Sequence, residues 1–414
     1  MTPEIKQRIE QIRRGEVPER YVKTALGLAP ANWKRYTFGD IYTERKEPGD
    51  VNLPLLMVSI HSGVSDGEVD AAELPKQVKR IEDKSQYKKA VSGDLVFNMM
   101  RAWQGAIGTV RTTGMVSPAY IVAEPNDKVY PLFMDYYSRT PQMINQIDRQ
   151  SYGVTDFRKR LYWDSFAPIG CTLPPIEEQQ KIAAILTTQD KVIELKEKRL
   201  AEKQRQKKYF MQQLLTGKKR LPGFYGAWSF PKAKELFQSV SDKDHNGDLA
   251  VLSSTQDRGI VPRDEVDIDI KYDACSLANY KKVSKGNFVI SLRSFQGGIE
   301  YSTYTGLVSP AYTVLSSRKE ISDGYYKQFF KSTDYINRLN VAVYGIRDGK
   351  QISYEDFGRL RIPYPPIKEQ DAIAEVLSTA DREIELLQQD IEQEKQKKKA
   401  LMQLLLTGIV RVKT

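Results

Sequence analysis

The chain has 414 residues, is 40% hydrophobic and 28% charged, and carries a net charge of +10. It is too long for one ordinary compact domain and too apolar for a disordered chain, and its basic balance points to a polyanionic partner, nucleic acid before a membrane surface. Its two cysteines, Cys171 and Cys275, form neither a disulfide framework nor a zinc spacing, and no apolar leader or run of about 18 apolar residues is present, so a cytoplasmic protein is expected.

In chain order, residues 1–29 form a preface with a short amphipathic helix through Ile5, Ile9 and Ile12. Residues 30–173 form a first globule, headed by Trp33. It carries "DLVFNMMR" leading into "AWQGAIGTV", then "VSPAY" at 116–120 and the helical stretch "PLFMDYYSRTPQMINQI". Its short β-branched and aromatic runs, bounded by Gly and Pro, predict strands. Residues 174–217 predict one long helix. Residues 218–364 repeat the globule: Trp228, "NFVISLR" leading into "SFQGGIEYS", "VSPAY" at 308–312, and "DGYYKQFFKSTDYINRL". Residues 365–414 then repeat the long helix.

The helical repeat is the clearest signal in the chain. "PPIEEQQKIAAIL" starts at 174, and "PPIKEQDAIAEVL" starts 191 residues later at 365; from there to the two "LLTG" endings, 21 of 44 aligned positions are identical. Each segment opens on Pro-Pro, which suits a helix start, and closes on Gly217 or Gly408, which suits a stop. About 40 residues at 1.5 Å each make a rod of roughly 60 Å.

The second rod has heptad lines Ile373, Ala380, Leu387, Glu394, Leu401 and Leu377, Ile384, Ile391, Lys398, Leu405. The first has Leu186, Ile193, Leu200, Lys207, Leu214, beside a line that is polar in its middle: Ile182, Gln189, Lys196, Lys203, Phe210. Two rods with such stripes are expected to pair as a coiled coil, because a lone rod would leave its stripe wet. The expected fold class is α+β: two mixed α/β globules separated by two long helices pairing as an antiparallel coiled coil, with a pseudo-two-fold internal repeat.

Catalytic signatures are missing. There is no G-x-x-x-x-G-K-[ST] loop and no G-x-G-x-x-G after a strand, and His61 and His245 stand apart from other candidate ligands. The Pro-Pro pairs lack the Asn of an amino-methyltransferase loop. No catalytic or metal-binding residue is assigned, and the chain is expected not to be an enzyme.

The layout resembles the specificity subunit of type I restriction–modification systems over nearly the whole chain. The two "PPI.EQ…LLTG" segments resemble that family's repeated helical regions. "NWKRYTFGDI" and the "VSPAY" strings resemble parts of its target recognition domains, and "TPEIKQRIEQIRRGEVPERY" resembles its preface. The resemblance implies two DNA-reading domains on an antiparallel helix pair, assembly with two methyltransferase subunits, and two further restriction/translocase subunits for cleavage. S-adenosylmethionine, ATP and Mg would bind those partners, and no cofactor is expected in this chain. The alternative reading is a coiled-coil protein-binding scaffold without DNA specificity.

Two readers on a rigid spacer suit a polymer with a helical repeat of about 34–36 Å, and dissimilar globules predict an asymmetric bipartite target in double-stranded DNA. Arg101, Gln104, Arg293 and Gln296 lie in "RAWQG" and "RSFQG", shared by both globules. Their side chains suit guanine and adenine, but a shared feature fits a turn or a phosphate anchor better than sequence reading. Sequence reading is expected where the copies diverge: Ser59, His61, Thr155, Arg158 and Lys159 in the first globule, and Ser254, Gln256, Arg258, Arg347, Asp348 and Lys350 in the second. The lysine-rich stretches 202–210 and 394–402 are expected to complement the negative ends of their helices, the alternative being contact with DNA or a partner subunit.

Overall fold

A computed structural model describes residues 3–24, 27–50, 52–65, 67, 86–153, 155, 158–266, 274–342 and 352–413. The chain is mixed α/β and divides into two compact units, Met1–Leu195 with Ile391–Thr414, and Lys196–Asp390. Compactness therefore divides the chain differently from the sequence segments: each unit holds one globule together with one segment of each long helix.

Each globule is built on a four-stranded antiparallel sheet. In the first unit its order is Tyr42–Glu44, Tyr120–Pro125, Leu95–Asn98, Ile107–Thr109; in the second it is Phe237–Val240, Thr313–Ser317, Phe288–Ile290, Glu300–Tyr301. The period of two along a strand sorts side chains to opposite faces. Leu95, Phe97, Ile121 and Ala123 enter the larger core, while Val96 and Val122 enter a smaller one with Leu56, Val58 and Val64. In the second unit Phe288, Ile290 and Leu315 face the larger core, and Val289 and Val314 face the smaller one with Leu252 and Ile260. Both faces are covered, so these strands read as continuous apolar runs and not as alternation.

The smaller core supports a short hairpin in each unit: Val58–Ser59 with Gly63–Val64, and Leu252–Thr255 with Gly259–Pro262. Gly63 and Gly259 sit at φ of +75° and +77°, where a side chain is strained.

The helical stretches read at 131–147 and 323–339 are each broken in two. Pro131–Tyr137 is followed by Pro141–Arg149, and Asp323–Phe329 by Thr333–Ala342. In the first, Pro141 cannot continue the preceding turn, and the Thr140 hydroxyl caps the new helix by accepting from the Met143 N–H at 3.4 Å. In the second, Ser332 does the same for Tyr335 at 3.3 Å.

The long helices are Ile176–Leu214 and Ile367–Leu406. Ile182, Ala183 and Leu186 of the first, with Leu405 and Leu406 of the second, belong to the first unit's main core. Ile373 and Leu377, with Leu214 and Leu215, belong to the second unit's. The polar seam positions have partners. Within the second unit Lys196 meets Asp390 at 2.8 Å, Lys203 meets Glu383 at 2.6 Å, and Lys207 pairs with Asp381. Within the first, Asp190 meets Lys398 at 2.5 Å and Gln189 donates to Glu394 at 2.7 Å. In the second unit, partner numbers fall on one helix as they rise on the other.

Each helix start is fastened by the same two side chains. Glu178 and Glu369 are fully buried. Glu178 receives Arg411 through Nε and Nη2, both at 2.6 Å, and the Trp33 indole at 3.3 Å. Glu369 receives Arg220 at 2.5 and 2.6 Å and the Trp228 indole at 3.0 Å. Gln179 accepts from the Tyr130 N–H at 2.8 Å and donates to the Pro174 carbonyl at 2.9 Å; Gln370 accepts from Ser322 N–H and donates to Pro365 at 2.9 and 2.8 Å. This explains why "EQ" recurs after Pro-Pro-Ile-x.

Candidate nucleic-acid interface

The turn shared by both globules abuts the hairpin tip in each unit. Arg101 precedes the single helical turn Ala102–Gln104, and Gly105 follows it at φ +105°. A Cβ on Gly105 would lie 3.5 Å from the Ile60 carbonyl. Arg293 likewise precedes Ser294–Gly297, and a Cβ on Gly297 would strike Gln256 Cγ at 2.8 Å. The left-handed φ accounts for glycine at 105, and the close approach of Gln256 accounts for it at 297.

Neither Arg101 nor Arg293 makes a side-chain cap bond to its turn. Both are exposed, as are Gln104 and Gln296. Backbone bonds close each turn, with Gln104 N–H donating to Arg101 O at 3.0 Å and Gln296 N–H to Arg293 O at 2.9 Å; in the second unit Ser294 Oγ also accepts from the Ser291 N–H at 2.8 Å. These polar ends are therefore not consumed by the turn's own capping.

Behind the arginines stand the tyrosines of the two "VSPAY" strings, which the sequence reading left without a role. Burial pushes the Tyr120 phenol up, against the opposing pull of Asn98, the Val58 backbone and Arg101. Burial does the same to Tyr312, opposed by Arg263, Arg293 and the Ser254 backbone. Each tyrosine thus links the shared turn to the first hairpin strand. Their recurrence 192 residues apart was the available signal.

The described divergent residues occupy the two hairpins and, in the first unit, a loop whose Lys159 lies over the Trp103 ring of the shared turn. Ser59 Oγ accepts from the His61 and Ser62 N–H groups at 3.1 and 3.5 Å, shaping the first tip, and the His61 side chain is exposed. Thr155 and Arg158 are exposed and share a backbone turn of 2.8 Å. Lys159 is more engaged: it meets Asp148 at 2.7 Å and lies 4.9 Å over the Trp103 ring, so its charge is partly spoken for. Trp103 itself packs on the main core and donates to the Met100 carbonyl at 3.0 Å.

In the second unit Ser254 lies in the first hairpin strand, with Gln256 and Arg258 exposed at its tip. Arg258 N–H donates to Thr255 Oγ1 at 3.1 Å and its guanidinium to the Glu265 carbonyl at 2.9 Å. Arg347, Asp348 and Lys350 lie outside the described residues.

Among the described residues no group of three His, Cys, Asp or Glu side chains could hold a metal ion, and no helix is long and apolar enough to cross a membrane. Cys171 is buried and unpaired, its thiol pushed up to about 12 by burial, which leaves it unreactive.

A chain of Methanocaldococcus jannaschii bearing the name type I restriction enzyme MjaX specificity subunit is 23% identical over 96% of this chain and 98% of its own length. The MjaVIII specificity subunit of the same organism is 25% identical over 80% of this chain and 83% of its own. The crystal structure of the HsdS subunit from Thermoanaerobacter tengcongensis shares the fold, with a TM-score of 0.51 and 18% identity over 92% of this chain and 98% of that one. The profile described as type I restriction modification DNA specificity domain matches residues 57–204 and 228–396. The chain belongs to the type I restriction–modification DNA specificity family and carries its domain twice.

Proposed function

We propose that this DNA-recognition subunit reads an asymmetric bipartite site in double-stranded DNA, one half per globule. In this proposal residues 30–173 and 218–364 are the two target recognition domains, and residues 174–217 and 365–414 form the spacer. The spacer is an antiparallel coiled coil that fixes the distance between half-sites and docks two methyltransferase subunits. Two restriction/translocase subunits join for cleavage. S-adenosylmethionine, ATP and Mg act in those partners.

One observation carries the reading: the same scaffold in both units sets dissimilar hairpin tips, His61 against Gln256 and Arg258, beside the same exposed Arg-x-x-Gln-Gly turn. A phosphate anchor held in common beside a variable reader is what two different half-sites require. The pairing of the rods is supported by the charge partners of Lys196, Lys203 and Lys398 and by the Glu–Arg fastenings at both helix starts.

The test is to replace residues 30–173 with another recognition domain, co-express the chain with its methyltransferase subunit, and sequence the methylated bases. One half-site should change and the other stay. A change in both would defeat the proposal of independent readers.

A further inference from the structure

A basic side chain just after the helix Pro131–Tyr137 in the first unit, and just after Asp323–Phe329 in the second, holds the hairpin tip, paired with a carboxylate that comes from a different place in each. In the first unit Arg139 donates from Nη1 to the His61 carbonyl at 3.4 Å, and its Nη2 lies 3.5 Å from Asp135, four residues earlier in the helix Pro131–Tyr137 that Arg139 follows. Asp135 is 2% exposed and also accepts from the Thr109 N–H at 3.0 Å. In the second unit Lys331, 192 residues after Arg139, spends all three ammonium protons. They go to the Gln256 carbonyl at 3.2 Å, the Gly297 carbonyl at 3.0 Å, and the buried carboxylate of Glu300, which comes from a strand. The other Glu300 oxygen has no partner among the described residues, so Lys331 alone compensates that buried group.

The partner positions are exchanged between the units. Where the second unit has Glu300, the first has Gly108; where the first has Asp135, the second has Lys327. A Cβ on Gly108 would stand 2.9 Å from the Asp135 carboxylate oxygen, so the first unit has no room for a second carboxylate. Each tip is thus tied to one buried acid, supplied by helix or by strand.

We infer that Arg139 and Lys331 are positioning residues for recognition: each pins the tip carbonyl of the reader, His61 or Gln256, and so sets where that side chain meets a base. The inference rests on the proposed reading of half-sites by these hairpins.

The test uses the full chain with its methyltransferase subunit and compares methylation of the cognate site with sites mismatched in one half. Arg139→Met should reduce discrimination at the first globule's half-site by about tenfold, the scale of one lost base contact, and leave the other half-site unchanged. Lys331→Met should do the reverse. Arg139→Lys, which keeps a charge able to reach the carbonyl, should retain most of the discrimination. Gly108→Glu alone should lose it, and Gly108→Glu with Asp135→Lys and Arg139→Lys, which rebuilds the second unit's arrangement, should recover it. Equal loss at both half-sites, loss of rate without loss of discrimination, or a rebuilt variant no better than Gly108→Glu would overturn the inference. A wild-type protein with no bipartite target would sink the reading beneath it, which is a separate and recognisable outcome.

Discussion

Glu178 and Arg411, at the start of one long helix and beyond the end of the other, form a two-pronged ion pair with both contacts at 2.6 Å. Glu369 and Arg220 form the same pair in the second unit. Both pairs stand at an offset of 191 residues, the offset of the helical repeat. The fastening is therefore part of what was duplicated.

Removing one partner of such a pair leaves a buried charge without compensation. Arg411→Met is predicted to lower the stability of the first unit by about 3 kcal/mol, and Glu178→Gln with Arg411→Met by clearly less than the sum of the single changes. Chemical denaturation of the four variants measures the coupling. Strict additivity would show that the pair contributes nothing beyond its separate contacts.

The spacer proposal predicts a change in target length. Four residues inserted into the first long helix add about 6 Å of rise, close to two base pairs at 3.4 Å each. The methylated motif should gain a longer unread centre with both half-sites kept. An unchanged centre would mean the helices do not set it.

Arg101 and Arg293 are exposed and uncommitted to their turns, so they are predicted to hold phosphate. Arg101→Met should weaken cognate and non-cognate DNA alike and reduce the slope of log affinity against log salt by about one. A selective loss for the cognate sequence would reassign the residue to base reading.

Glu383 is held below the usual glutamate range, first by its hydrogen bond from Lys203, then by that charge. A lowered value in the folded state means the interaction stabilises above the ordinary glutamate pKa and is lost as pH falls through the lower folded value. Carboxylate carbon shifts of Glu383 should titrate below the ordinary range in the wild type. In Lys203→Met the midpoint should rise toward it. The same midpoint in both would show that the pair is not formed in solution.

Much of the architecture was legible because repetition within one chain is itself evidence. The offset of 191 residues exposed both long helices, Pro-Pro and Gly marked their ends, and the offset of 192 aligned the two globules. The polar middle of the first seam could not be matched to partners from the sequence because those partners, Asp390 and Glu383, lie far away along the chain. The single helical stretch expected at 131–147 failed at Thr140-Pro141, where a local cap and a missing N–H outweigh a continuous apolar period.

The sequence by itself determined that the molecule is double, basic, and built from two globules and two rods, since length, charge and periodicity are properties of the chain. Only the tertiary structure decided which residues answer one another: Arg411 with Glu178, Tyr120 with the Val58 strand, Lys331 with Glu300. Those pairings arise from the return of distant segments to one place. A buried charge must find its partner wherever the fold brings one, and no spacing in the chain records that choice.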